Sequence, residues 1–285
     1  MMVEYYTYKV EFQERGAGHF HGTLWLKLEK MEKLIITTDN ELILNDEIPE
    51  TDDIDDIESN ESNIFDDKKP FKGICSAFRK LKNNEELSDQ EKEALKNFID
   101  EFTTVSTNEN KVGERVSQMV LEVNIHHHTK SCRKYDCPCR FYYPRFPSIR
   151  TIIAEPIRGG TEEERNKRLK RYDEILDKVR DVLNDEEVIK EIILDIGSSE
   201  KESLDIYKVN KARRIEELLK KAGVTLQEYE ESLSYTKTGY KVTIERDLTE
   251  IFVNSYNMEW MEAWDANMDM QPCFDYFATI TYITE

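Results

Sequence analysis

Cysteine is scarce, with five in 285 residues. That is too few for a disulfide-stapled scaffold in a chain of this length. Long apolar runs are missing, as are a secretory leader pattern and a lipidation motif, so a soluble intracellular protein with no membrane partner is expected. No internal repeat is found, and no Gly-x-x-x-x-Gly-Lys phosphate loop, which excludes an ATP-driven motor in this chain by itself. Histidine is also limited to five, but all five fall in two tight clusters, at 19–21 and 126–128. What remains is ample length for a buried core, in one large domain or two smaller ones.

Charge is unevenly spread. The formal net charge is −19, yet residues 39–67 hold thirteen Asp or Glu and no Lys or Arg, so the rest carries only −6 (−19 less −13). That segment has too little apolar content to offset its ordering entropy and is expected to be a disordered acidic insertion, or the part of an interaction protein that recruits a basic partner. Residues 129–150 run the other way: Lys130, Arg133, Lys134, Arg140, Arg145 and Arg150 stand against Asp136 alone. Interleaved with them are Tyr135, Phe141, Tyr142, Tyr143 and Phe146. Cations with aromatics suit phosphate contacts and base stacking on single-stranded DNA; the competing reading is a solvated loop with a few core aromatics.

Periodicity predicts helices over 71–83, from Ser88 onward, over 112–123, and over about 161–183, 186–194 and 200–222. Ser88-x-x-Glu91 and Thr225-x-x-Glu228 read as capping boxes, and Gly223 as a helix stop. Strands are expected near 150–154, 240–244 and 266–271, with helices over 258–264 and from about Asp275. The helices between 161 and 234 have the character of an inserted subdomain.

The first histidine cluster, Gly18-His19-Phe20-His21-Gly22, falls in a predicted β-hairpin formed by residues 3–13 and 19–28, with Glu14-Arg15-Gly16-Ala17-Gly18 as the turn. If Gln13 pairs with His19, then Glu11 lies opposite His21. Alternation puts Glu11, Gln13, His19 and His21 on one face and Val10, Phe12, Phe20, Leu24 and Leu26 on the other. Two imidazoles at i and i+2 beside a carboxylate can chelate a divalent ion and leave positions open to water or a phosphate oxygen. The plainer reading is a His-x-His whose polar face simply meets water.

The second cluster, His126-His127-His128-x-x-x-Cys132-x-x-x-x-Cys137-Pro138-Cys139, offers more than enough ligands for tetrahedral zinc. Its spacing departs from paired Cys-x-x-Cys knuckles. The ligand set expected is Cys132, Cys137 or Cys139, and one or two of His126 and His128. The alternative is three reduced thiols beside a solvent-facing histidine run. Zinc would hold the Pro-rich basic loop 140–147 in place without a core of its own.

Taken in order, Val10-Glu11-Phe12-Gln13-x-Arg15-Gly16-x-Gly18-His19-Phe20-His21 resembles the metal-binding motif of the HUH endonucleases, and within them the replication-initiator domain of Helitron transposases, the Helitron helicase-like domain. Residues 126–147, ending in Cys-Arg-Phe-Tyr-Tyr-Pro-Arg, are similar to the His/Cys and Phe-Pro segment of that family. Val253-Asn254-Ser255-Tyr256-Asn257 with Asn267-Met268-Asp269-Met270-Gln271, and Ala278-x-x-x-Tyr282-Ile283-Thr284, resemble its last blocks.

The resemblance implies an α+β fold with an HUH-like antiparallel sheet, flanking helices, a helical insertion and the disordered acidic loop. Its parts would be the hairpin at 1–38, the acidic insertion at 39–69, a helical segment at 70–125, the His/Cys segment at 126–154, the helical insertion at 155–235 and the rest of the core at 236–285. It implies Mg²⁺ or Mn²⁺ on Glu11, His19 and His21, and attack on DNA by Tyr282, with Tyr276 a nearby competitor. It also implies action in the nucleus or wherever the element's DNA is replicated, and a helicase domain as partner, while the basic stretch is expected to contact single-stranded DNA through Lys130, Arg133, Lys134, Arg140 and Arg145. Family members pair two tyrosines four residues apart, and the second would fall just past Glu285. The family's upstream strand and its helicase are also missing, so a fragment truncated at both ends is expected.

Overall fold

In a computed structural model, the residues described are 3–12, 18–36, 42–44, 69–130, 132, 139–272 and 274. They fold as α+β, and the chain divides into two compact units: 1–98 with 273–285, and 99–272.

Unit 1 opens with the hairpin β1 (Val3–Phe12) and β2 (Gly18–Leu26), paired antiparallel. Helix α1 (Leu28–Met31) follows, then a second hairpin of β3 (Leu34–Ile36) and β4 (Leu42–Leu44). Strand β4 corrects the expectation of disorder throughout the acidic insertion. Leu42-Ile43-Leu44 is its one apolar triplet, and it finds a complementary edge in Leu34-Ile35-Ile36. The remaining acidic residues of the insertion lie outside the described residues.

Helix α2 (Ile74–Lys82) and most of α3 (Asp89–Phe102) also belong to this unit. Phe71, Ile74, Ala77 and Leu81 are buried, as are Leu87, Ala94, Leu95 and Phe98, and Phe78 meets Phe98 edge to face at 5.4 Å. The cap at Ser88 forms as a reciprocal pair: the Ser88 amide donates to Glu91 Oε2 at 2.7 Å and the Glu91 amide to Ser88 Oγ at 3.3 Å. Glu91 also accepts from Ser76 Oγ and Lys80 Nζ, at 2.6 and 2.7 Å. Burial alone would raise its pKa, but these donors outweigh it and hold the carboxyl at about 2.

Unit 2 is built on β5 (Ile152–Pro156), the centre of a three-stranded sheet in the order β6-β5-β7. Strand β7 (Lys241–Thr243) pairs with it antiparallel and β6 (Tyr235–Thr236) parallel. The parallel pair departs from the all-antiparallel expectation because four helices intervene and supply the crossover such a pair needs. These are α6 (Glu162–Leu183), α7 (Glu186–Ile196), α8 (Leu204–Ala222) and α9 (Leu226–Leu233), three of them started by Thr161, Asp185 and Thr225 caps. Their apolar stripes, including Val179, Leu183, Ile215, Leu218 and Tyr229, bury against Leu248 and Ile251.

A second core joins α4 (Glu109–Val112) and α5 (Glu114–Val123) to Val253, Tyr256 and Met261 of α10 (Met258–Trp264). The strand expected at 266–271 does not form. Asp265 ends α10 in a left-handed conformation, and the following backbone is satisfied piecemeal: the Met268 amide donates to Asn124 Oδ1 and the Met270 amide to the Ser255 carbonyl. The helix expected from Asp275 lies outside the described residues.

Between the two cores of unit 2 runs a buried charged strip that periodicity could not announce. Arg214, fully buried on α8, donates through Nε and Nη2 to Asp247 at 2.9 Å each, to Glu202 Oε2 at 3.1 Å and to the Gly197 carbonyl at 2.7 Å. Next to it Arg246 donates to the carbonyls of Glu250 and Val253, and the buried Glu250 carboxylate accepts from the Thr107 and Asp247 amides, both at 2.9 Å. Burial pulls Arg246 down to about 10 and pushes Glu250 up.

Candidate metal centre

After α5 the chain leaves the helix through Asn124, whose side chain donates to the Asn254 carbonyl while its own carbonyl accepts from the Asn254 amide. Ile125 bridges Val253, and the His126 amide donates to the Phe252 carbonyl at 2.7 Å. This short ladder sends His126 and His128 to one side and exposes His127. A turn brings Cys132 back: its amide donates to the Thr129 carbonyl, and its sulfur accepts from the Thr129 amide at 3.1 Å. Cys139 returns at the far end, where the Arg140 amide donates to the Cys132 carbonyl.

The result is a group of four ligand atoms from His126, His128, Cys132 and Cys139, no two more than 4.8 Å apart. His126 Nε2 lies 3.4 Å from Cys139 Sγ, and His128 Nδ1 lies 3.6 Å from Cys132 Sγ. With zinc bonds of about 2.3 Å to sulfur and 2.0–2.1 Å to nitrogen, the N···S edge of a tetrahedron spans about 3.6 Å. Both measured edges are close to that value, so two thiols and two imidazoles fit a tetrahedral ion such as zinc. Both sulfurs are buried, and burial would raise the Cys132 thiol, but the Thr129 amide and the Cys139 sulfur outweigh it and bring it below its ordinary value. Of the expected set, four ligands come together and Cys137 lies outside the described residues.

The wall around the cluster is aromatic. Tyr143 stacks on His126 at 4.3 Å with the rings 12° from parallel, and Phe252 meets His128 edge-on at 5.6 Å. The Tyr143 hydroxyl donates to Asn254 Oδ1 at 2.5 Å. Such contacts orient ligand rings, as the surroundings of metal sites commonly do. Phe252 and Asn254 were not among the candidate residues. Asn254 belongs to the Val253-to-Asn257 block and Phe252 directly precedes it; only the fold reveals their place behind the cluster.

The basic loop divides by function. Phe141 and Tyr142 are 43% and 70% exposed, and Arg140 lies over the Phe141 ring at 4.5 Å. Lys130 and Arg140 are exposed and Arg145 is half-buried, its guanidinium 4.8 Å over Tyr143. Arg133, Lys134 and Tyr135 lie outside the described residues. Two expected stacking residues are corrected: Tyr143 is buried against His126, and Phe146 packs on the helical core, edge to face with Tyr229. The expectation that loop 140–147 has no core of its own is corrected with them, since these two rings anchor it.

In unit 1 the backbone pairs Glu11 with His19 and Lys9 with His21. The expected pairing of Glu11 with His21 is displaced because Gly18 enters the ladder opposite Phe12 instead of closing the turn. The displacement is two residues, an even number, so Glu11, His19 and His21 keep register positions on one side of the hairpin while Val10 faces Phe20 on the other. Gln13 and Tyr282 lie outside the described residues. No helix among the described residues is long and apolar enough to cross a membrane. No protein-family model, no curated protein and no solved structure matches this chain.

Proposed function

We propose that this chain belongs to a protein that nicks single-stranded DNA and transfers the cut strand, as a Helitron-type initiator of the HUH class does. The supporting observation is the antiparallel register that sets Glu11 across from His19 with His21 two residues on. A divalent ion on those three residues would supply charge neutralisation at a phosphodiester oxygen. The Tyr282 hydroxyl attacks phosphorus, the bond from phosphorus to the 3′ oxygen breaks, and the products are a 5′-phosphotyrosine and a free 3′-hydroxyl. The ester keeps the strand activated for later joining. His19→Ala with His21→Ala should abolish Mn²⁺- or Mg²⁺-dependent nicking of an oligonucleotide. Unchanged nicking would remove the hairpin from the chemistry.

A second reading is favoured by a separate observation, the four-ligand cluster beside the exposed Phe141 and Tyr142. It describes a non-catalytic, zinc-dependent module that binds nucleic acid. Metal analysis separates the two: zinc in unit 2 with no Mn²⁺ affinity at the hairpin selects the module. Deleting residues 39–67 leaves DNA binding intact on either reading and removes it if the acidic tract is the binding element.

A further inference from the structure

Unit 2 carries three cations that no ion pair neutralises among the described residues. Arg145 lies over Tyr143 at 4.8 Å, and Arg180 of α6 lies over the Phe146 ring at 4.5 Å. Lys241 opens β7, paired with Ala154 of the central strand. Among the described residues none of the three takes part in an ion pair, whereas Lys211, Arg214, Arg150 and Arg171 of the same unit all do. Each guanidinium rests on an aromatic face, an arrangement that leaves N–H donors for a ligand. Burial lowers the pKa of the Lys241 ammonium, and the nearby charges of Arg145 and Arg180 lower it further.

The exposed rings lie on the same loop. Phe141 and Tyr142 precede Tyr143, Arg145 and Phe146 within six residues, and Tyr142 is held outward with φ +62°, a conformation seldom adopted by a bulky residue. Cations that grip phosphates beside rings that accept bases are the two components of a sequence-tolerant single-strand site. We propose that Arg145, Arg180 and Lys241 bind successive phosphates of single-stranded DNA whose bases stack on Phe141 and Tyr142. The track rests on the single-strand-binding part of the function proposed above, and it adds two residues outside the basic loop, from the helical insertion and from β7.

The test measures binding of the full chain, zinc-loaded, to a fluorescent oligothymidylate by anisotropy across a salt series. Removing two phosphate contacts from a single strand should lower the slope of log K against log salt by about 1.4. With parity at about 1 M salt, the same relation makes Arg180→Gln with Lys241→Gln bind about 70-fold more weakly at 50 mM salt and about 10-fold more weakly at 200 mM. The charge-preserving pair Arg180→Lys with Lys241→Arg should keep the wild-type slope. Unchanged affinity and slope in the glutamine pair would overturn the proposal, as would a loss equal in both pairs, which signals packing damage, or a wild-type chain that does not bind. The hairpin is judged separately. Binding with the expected slope but no nicking upholds the phosphate track and rejects the nickase; nicking with an unaltered slope rejects the track alone.

Discussion

Replacing Arg214 by Met should destabilise unit 2 more than any other single polar change in it. The guanidinium is fully buried and fills a slot between Asp247, itself fully buried, Glu202 and the Gly197 carbonyl. Methionine matches much of its length but leaves the Asp247 carboxylate, among the described residues, with the Thr249 amide and hydroxyl as its hydrogen-bond donors, at 2.9 and 3.1 Å. Breaking a buried ion pair from one side costs about 3–5 kcal/mol. Glu202 is less buried and can rehydrate, so a loss of about 3–4 kcal/mol is expected. Adding Asp247→Asn to Arg214→Met should recover part of that, because the uncompensated charge goes with it, giving a coupling of about 1–3 kcal/mol. Urea unfolding followed by tryptophan fluorescence reads this directly in a Trp25→Phe background, since Trp260 and Trp264 both belong to unit 2. A single-variant loss below about 1 kcal/mol, or strict additivity in the cycle, would refute the view that this pair is a buried, mutually dependent charge couple.

The zinc-loaded chain should hold about one ion, and Cys139→Ser or Cys132→Ser should reduce that occupancy sharply; retention of full occupancy in both variants, by elemental analysis, would exclude the cluster. Chelation should open the chain to trypsin after Lys130 and Arg140 while Tyr143 and Phe146 keep the following segment anchored, and mass spectrometry of the first fragments decides it. Glu91, held at about 2 against an ordinary 4.5, contributes stability that is present above the ordinary value and is lost as pH falls from about 4.5 towards 2. Glu91→Gln should therefore cost unit 1 about 2 kcal/mol at pH 7 and flatten its acid unfolding curve, and a variant as acid-sensitive as the wild type would contradict this.

Much of the architecture was legible where local chemistry and tertiary packing agree. The capping residues Ser88 and Thr225, the stop at Gly223 and the helical periodicity over 161–183 and 200–222 predict their helices because one face, with Val179, Leu183, Ile215 and Leu218, has a core to meet. Legibility failed where a distant residue decides. Met268 and Met270 read as strand, but their amides are taken by Asn124 and by Ser255 rather than by a neighbouring ladder. Tyr143 and Phe146 read equally as stacking surfaces or as core aromatics of a basic loop, and nothing nearby in sequence announces His126 or the helical core as their partners. The same holds for Asp247 and Glu250, whose charges suggest solvent but which sit beside Arg214 and under Tyr207. At the metal centre, residue type and spacing narrowed the ligands to one small set, while the contacts of Phe252 with His128 and of Asn254 with Tyr143 come from more than a hundred residues away.

That separation orders events during synthesis. All four ligands of the centre lie within residues 126–139, so the loop that closes them is short and its closure entropy small. A metal ion can be captured as soon as Cys139 is clear of the ribosome. Phe252 and Asn254 follow over a hundred residues later, roughly 6–20 s at about 5–20 residues per second. In that interval the helices that bury Arg214 also precede Asp247, their counter-charge. The 247–254 strap thus arrives last and completes two unfinished structures at once, neutralising the helical core on one side and walling in the metal ligands on the other.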